Sequence, residues 1–175
     1  EKALKKGRLP KAVLRWMRKK LATNRRALLF VPTIEAGHFL QQVLKKLLKL
    51  EVAFVYSNDE ERISKVKAFK EGEGQFLITT MILERGVTIA DIDVAIFCAE
   101  HEVYEESALV QISGRVGRNP KYPHGEIIFF HYGITEAMDA AREQIKRMNQ
   151  SAWKQHLLKE EPKYEMSSLL SIYRY

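Results

Sequence analysis

Apolar positions recur along this chain with two periods, and the two periods alternate. "KAVLRWMRKKLA" (11–22) carries Val13, Leu14, Met17 and Leu21 at helical spacing behind Leu9-Pro10, and proline suits a first helical turn. "RALLFV" (26–31) is a short continuous apolar run, as expected of a strand buried on both faces. "TIEAGHFLQQVLKKLLKL" (33–50) returns to helical spacing through Ala36, Phe39, Leu40, Val43, Leu44 and Leu47. After the strand-like "VAFVYS", Asn58 with Glu61 three residues on reads as a capping box that opens a helix running to about Lys70. "QFLITT" (75–80), "DVAIF" (93–97) and "GEIIFFHY" (125–132) predict three more strands, with a helix from about Tyr104 to about Val116 between the last two. A long helix over 134–159 closes the pattern, and the last residues carry no clear period.

This alternation predicts an α/β fold, a parallel sheet covered by helices on both faces. Ligands in such folds sit beyond the carboxyl ends of the strands. The loops to watch are therefore 32–33, 57–59, 79–86 and 98–101.

Composition narrows the picture. A chain of 175 residues that is 46% hydrophobic and 29% charged is a globular class, most simply one domain. No apolar run approaches the ~20 residues that span a bilayer. The single cysteine, Cys98, lies in an apolar run and can form neither an internal disulfide nor a cysteine-based zinc site alone; it reads as a buried thiol in an intracellular setting. His38, His124, His131 and His156 show no metal-ligand spacing, so no metal site is expected.

The net charge of +7 is unevenly placed. Residues 1–26 hold eleven Lys and Arg against Glu1 alone, a local +10, which leaves −3 for the other 149 residues. A basic block of this kind fits either an acidic partner such as nucleic acid or a solvated linker face. Trp16 and Trp153 could stack on bases but occupy amphipathic helices, where core packing is the simpler reading.

The segment with the most chemistry is "QISGRVGR" (111–118). On a helix, Gln111, Gly114, Arg115 and Arg118 fall at i, i+3, i+4 and i+7, one face, while Leu109, Ile112 and Val116 share another suited to the core. Gly114 leaves room for a ligand, and guanidinium is planar, permanently charged and matched to phosphate. The ordinary alternative is a helix end fraying at Gly117, its arginines answering the helix dipole. Upstream, "TTMILERGVTI" (79–89) leaves a strand through Thr79-Thr80 and passes Glu84-Arg85-Gly86. Hydroxyls and free N–H groups at a strand's carboxyl end are suited to a nucleic-acid phosphate.

Together these segments resemble the C-terminal RecA-like domain of superfamily 2 helicases and translocases. "LLFVPT" is similar to motif IV, "TTMILERGVTI" to motif V and "QISGRVGR" to motif VI, in order over roughly residues 26–132. "ERGVTI", "AEH" and "ALVQISGRVGR", with "GRLPKAVLRW" ahead, most resemble the competence DNA-uptake translocase (ComFA) family.

The resemblance implies a RecA-like parallel sheet with helices on both faces, formed by residues 25–160 behind a basic linker and helix (1–24) and followed by a tail (161–175). It implies that Arg118 is an arginine finger toward the γ-phosphate of ATP, that Arg115 assists it, and that Gln111 orients the site or the attacking water. Gly86 and Gly114 would allow close approach to the nucleotide. Thr33, Thr79 and Thr80 would contact a nucleic-acid backbone, with single-stranded DNA the implied partner. No GxxxxGK[ST] loop is present in the 175 residues, and "VAFVYSNDEE" places Ser57 and Asn58 between its strand and Asp59-Glu60, so neither Walker element is expected here. ATP with Mg2+ would then be held mainly by an N-terminal RecA-like domain outside these residues, and the chain alone should not hydrolyse ATP.

Thr88 stands where many relatives carry an aspartate that contacts the ribose, which puts that contact in doubt. The implied location is the cytoplasm, with DNA-uptake machinery at the inner face of the membrane as a further partner. Two other functions fit the same motifs: a repair, replication-restart or RNA helicase, and a standalone nucleic-acid-binding module without motor activity.

Overall fold

The computed structural model describes residues 8–81, 89–117 and 125–158, and the backbone of 163–166 and 170–174. Its elements run α1 (Lys11–Ala22), β1 (Arg26–Phe30), α2 (Ile34–Leu48), β2 (Ala53–Val55), α3 (Arg62–Lys70), β3 (Phe76–Thr79), β4 (Ile92–Phe97), α4 (Glu106–Ser113), β5 (Glu126–Phe130), α5 (Glu136–Lys154), β6 (Lys163–Met166) and β7 (Leu170–Arg174).

The continuous apolar runs become the centre of the sheet, because a parallel strand covered on both faces has no side on which polar groups are hydrated. The strand order is β2-β3-β1-β4-β5-β7-β6. The first five strands are parallel: Leu29 of β1 lies beside Ile78 of β3 and Ala95 of β4, and Ile96 of β4 beside Phe129 of β5. Alternation sends successive residues to opposite faces. Ala27 and Leu29 join a core layer under α1 and α2 with Val13, Trp16, Met17, Leu40 and Leu44. Leu28 and Phe30 join a second layer with Val66 and Phe69 of α3, Leu109 and Ile112 of α4, and Met138 and Ala141 of α5. Helices therefore cover both faces, as the alternation predicts.

Local signals explain the element boundaries. Thr33 opens α2 by accepting a hydrogen bond from the Ala36 N–H (3.1 Å), and Thr135 opens α5 by accepting one from Met138 (3.2 Å). The expected capping box at Asn58 does not form. The helix starts at Arg62 with no side-chain cap; ahead of it the Asp59 carboxylate closes a turn by accepting from the Glu61 N–H (3.1 Å) and pairs with Lys65 (3.0 Å). α4 ends at Ser113, earlier than expected, and α5 ends at Lys154. The tail, which has no readable period, still pairs: β7 runs antiparallel to β5 and β6 antiparallel to β7.

α1 is anchored at the amino edge of the sheet. The Lys20 ammonium sits 2.6 Å from Asp93 Oδ2 and 2.6 Å from Glu126 Oε2, with side-chain exposures of 6%, 2% and 7%. Arg25 also donates to Asp93 (2.8 Å) and pairs with Asp91, while Arg26 donates to the Phe69 carbonyl and stacks over the Phe69 ring. Part of the basic block is thus spent inside the fold. Lys11, Arg15, Arg18 and Lys19 remain exposed.

Candidate nucleotide and nucleic-acid faces

The sheet separates the predicted site residues onto two opposite edges. At the carboxyl edge the exits of β1, β3 and β2 lie side by side, because Val31 N–H donates to the Thr79 carbonyl (2.9 Å) and Thr80 N–H to the Val55 carbonyl (3.4 Å). Thr33 and Thr80 are half-buried there. The Thr33 hydroxyl oxygen accepts the Ala36 N–H, and its own hydrogen remains a donor.

Thr79 does not join them. It is fully buried as the last residue of β3, and its hydroxyl donates to the Thr80 carbonyl (2.8 Å). A strand covered on both faces has no wet side for this hydroxyl, so it closes on its own backbone.

The amino edge carries the other set. α4 starts beyond the carboxyl end of β4 and runs back across the sheet, so its end lies beside the starts of β4 and β5. Contact with Gly125 fixes this: a Cβ on Gly125 would lie 2.2 Å from Val116 Cγ1 and 3.0 Å from the Ile92 carbonyl oxygen. The chain tightens after Ser113, with Arg115 N–H donating to Ile112 (3.2 Å) and Val116 N–H to Ser113 (3.3 Å), and reverses at Gly117 with φ of +71°. Left-handed backbone there suits glycine and strains other residues.

This tightening changes the helical phase on which a shared polar face depends. Gln111 and Gly114 are exposed, but Arg115 is 8% exposed and engaged within the chain. Gln111, Gly114 and Arg115 therefore do not form the one open face that regular helical spacing predicts, because Arg115 turns inward. Leu109, Ile112 and Val116 do face the core. Arg118 and Gly86, like Glu84, Arg85 and Thr88, lie outside the described residues.

Other groups resolve simply. Trp16 is buried, its ring edge-on to Phe130 at 5.9 Å and its Nε1–H donating to Glu126 Oε2 (2.7 Å). Trp153 is not a core residue: it is 40% exposed near the end of α5, past Ile145, the last buried position of that helix. Cys98 is buried. His101 plays a local structural part, its Nδ1 accepting from the Val103 N–H (3.2 Å). Burial pushes the His131 pKa down against the opposing charge of Glu100, and burial pushes the Tyr104 phenol up. Among the described residues, no group of three or more His, Cys, Asp or Glu could hold a metal, and no helix is long and apolar enough to cross a membrane.

Sequence reasoning missed the ion network at the amino edge. Burial pushes the Asp93 carboxyl up, but hydrogen bonds from Arg25 and the charge of Lys20 outweigh it and hold the pKa below the usual value. Two signals could have found the network. Lys20 falls on the buried phase of α1, at i+7, i+4 and i+3 from Val13, Trp16 and Met17, and Asp93 is an acid inside an apolar strand.

Comparisons with known proteins agree with this architecture. The family model of the helicase conserved C-terminal domain matches residues 7–120. Competence protein ComFA of Bacillus subtilis (strain 168) is 40% identical over 154 residues, covering 88% of this chain and 33% of that protein. Competence protein ComFA of Streptococcus pneumoniae (strain ATCC BAA-255 / R6) is 38% identical over 150 residues, covering 85% and 35%. The chain thus spans about a third of the length of these relatives. Among solved structures, domain 2 of the Mss116p DEAD-box helicase, bound to an RNA duplex, superposes with a TM-score of 0.55 at 23% identity, over 67% of this chain and 46% of that one. That likeness concerns the fold. With this sheet and its segments similar to motifs IV, V and VI, the chain belongs to the helicase conserved C-terminal domain family and is related to competence protein ComFA.

Proposed function

We propose that this chain is the C-terminal motor domain of an ATP-dependent DNA translocase that drives single-stranded DNA import during competence. The observation that carries the reading is the division of the sheet. Thr33 and Thr80 stand at the carboxyl edge, and the Gly114–Gly117 turn stands at the amino edge. A motor must bind its track and its fuel at separate places on one rigid body, and a close-packed sheet transmits displacement between them with little slack. The similarity to the two ComFA proteins supports the choice of track.

In this reading Thr33 and Thr80 donate to phosphate oxygens, which positions the strand without reading its sequence. ATP sits between the amino-edge turn and an N-terminal RecA-like domain, which supplies the phosphate cradle and holds the Mg2+. Arg118 reaches the γ-phosphate, where a guanidinium aimed at developing charge stabilises phosphoryl transfer. Gln111 and Gly86 line the same cleft. Arg115, turned inward, holds the root of the turn. DNA-uptake machinery at the inner face of the membrane hands the strand to the motor.

The test uses the full-length protein. Arg118→Ala should lower DNA-stimulated ATP hydrolysis by about 10³-fold or more, the range of arginine fingers. Single-stranded DNA binding should persist. Wild-type hydrolysis by Arg118→Ala, or ATP turnover by the 175-residue chain alone, would sink the proposal.

A further inference from the structure

We infer that α1 is a positioning element for the nucleotide-facing turn, acting through the buried Lys20–Asp93–Glu126 network. The inference rests on the motor reading above and adds a control point to it.

The geometry forms a continuous chain of contacts. Lys20 of α1 holds Asp93 at the start of β4 and Glu126 at the start of β5, each at 2.6 Å. Trp16, one turn earlier, donates to the same Glu126 oxygen (2.7 Å), and the Lys20 ammonium stands 5.2 Å from the centre of its ring. The two strands are tied to each other as well, because the Glu126 N–H donates to Asp93 Oδ1 (2.9 Å). Gly125, the next residue back, touches Val116 so closely that a Cβ would overlap it at 2.2 Å, and that Cβ would stand 3.4 Å from Asp93 Oδ1. Val116 follows Arg115 directly. A shift of α1 along its axis therefore moves Asp93 and Glu126, then Gly125, then the turn.

Two arguments separate this from ordinary stabilisation. A buried ion pair is often no more stabilising than an apolar replacement of the same volume, and its best-attested use is to fix register. A purely apolar contact between α1 and the sheet can repack in more than one register, because dispersion is not directional. An ammonium between two carboxylates, with an indole N–H on one of them, has one position. β4 and β5, the two strands this network holds, are also the strands that follow Gly86 and Arg118 in the sequence.

The experiment compares Trp16→Phe, Lys20→Met and the exposed control Lys45→Met in the full-length protein. Trp16→Phe keeps an aromatic ring against Phe130 and removes the indole donor together with part of the ring's volume. For each variant, kcat and KM for ATP, the Kd for oligo(dT) and the midpoint of thermal unfolding are measured. Trp16→Phe and Lys20→Met should lower kcat at least about fivefold at saturating ATP, while KM and Kd stay within about twofold. Lys45→Met should match wild type. Amide hydrogen exchange of the 175-residue chain should show faster opening at residues 113–117 in Trp16→Phe, by more than the change in global unfolding accounts for.

Wild-type kcat in Trp16→Phe, or a loss of kcat in both variants that follows thermal stability alone, overturns the inference. Should Lys20→Met fail to fold, Trp16→Phe decides by itself. Arg118→Ala separates the two levels. An active Arg118→Ala refutes the motor reading, whereas an inactive Arg118→Ala beside fully active Trp16→Phe and Lys20→Met refutes only the role of α1.

Discussion

Asp93→Ala should be among the most damaging polar substitutions in the chain. The carboxylate is 2% exposed and accepts from Lys20, Arg25 and the Glu126 backbone N–H. Its removal leaves the Lys20 ammonium, itself 6% exposed, with one carboxylate in place of two, and strips the Glu126 N–H of this acceptor. Removing one partner from a buried ionic network costs about 3–5 kcal/mol. For a domain of this size each kcal/mol lowers the unfolding midpoint by roughly 2–4 °C, so the expected drop is about 6–20 °C. The comparison that tests the reasoning is Lys45 with Glu51, also 2.6 Å apart but with side chains 67% and 78% exposed. Equal distance in water is worth about 0–1 kcal/mol, so Lys45→Met should shift stability by less than that. Urea unfolding at pH 7 measures both. Trp16 sits in the network and Trp153 near the surface, so a fluorescence change on unfolding reports chiefly on the right place. If Asp93→Ala costs under about 1 kcal/mol, or no more than Lys45→Met, the assignment of the energy to burial is refuted.

Four further outcomes follow from the structure. Thr80→Val should weaken binding of oligo(dT), while Thr79→Val, whose hydroxyl is buried on the Thr80 carbonyl, should leave binding unchanged and cost about 1 kcal/mol of stability; equal effects on binding would refute the division between them. His131 is held below its unfolded pKa of 6.5 by burial, so the unfolded chain takes up a proton first: urea stability should decline as pH falls below 6.5, and His131→Gln should flatten that slope. Asp93 is the opposite case. Its depressed pKa contributes stability that is complete above 3.8 and lost as pH falls through the folded value, so Asp93→Ala should remove part of the acid transition, read by circular dichroism. Gly37→Ala would set a Cβ 2.1 Å from the Phe54 ring, an overpacking worth about 1–3 kcal/mol, and Phe54→Leu in the same chain should restore part of it.

The sequence by itself determined the layers of this protein. Five apolar runs and the helices between them were legible because burial on two faces leaves a strand no polar side, and burial on one leaves a helix a stripe. Motif resemblance then located the segments at Thr33, Thr80 and Gln111–Arg118. Only the tertiary structure decided that the end of the Gln111–Gly117 segment lies at the amino edge, since that depends on where α4 ends and on the contact between Val116 and Gly125. It also turned Arg115 inward, because a helix that tightens after Ser113 loses the phase that a regular pattern assumes. The fate of the basic start was likewise beyond composition. A count of charges cannot tell a solvated lysine from Lys20, whose partners Asp93 and Glu126 lie more than seventy residues away and come within 2.6 Å only when β4 and β5 pair beneath α1.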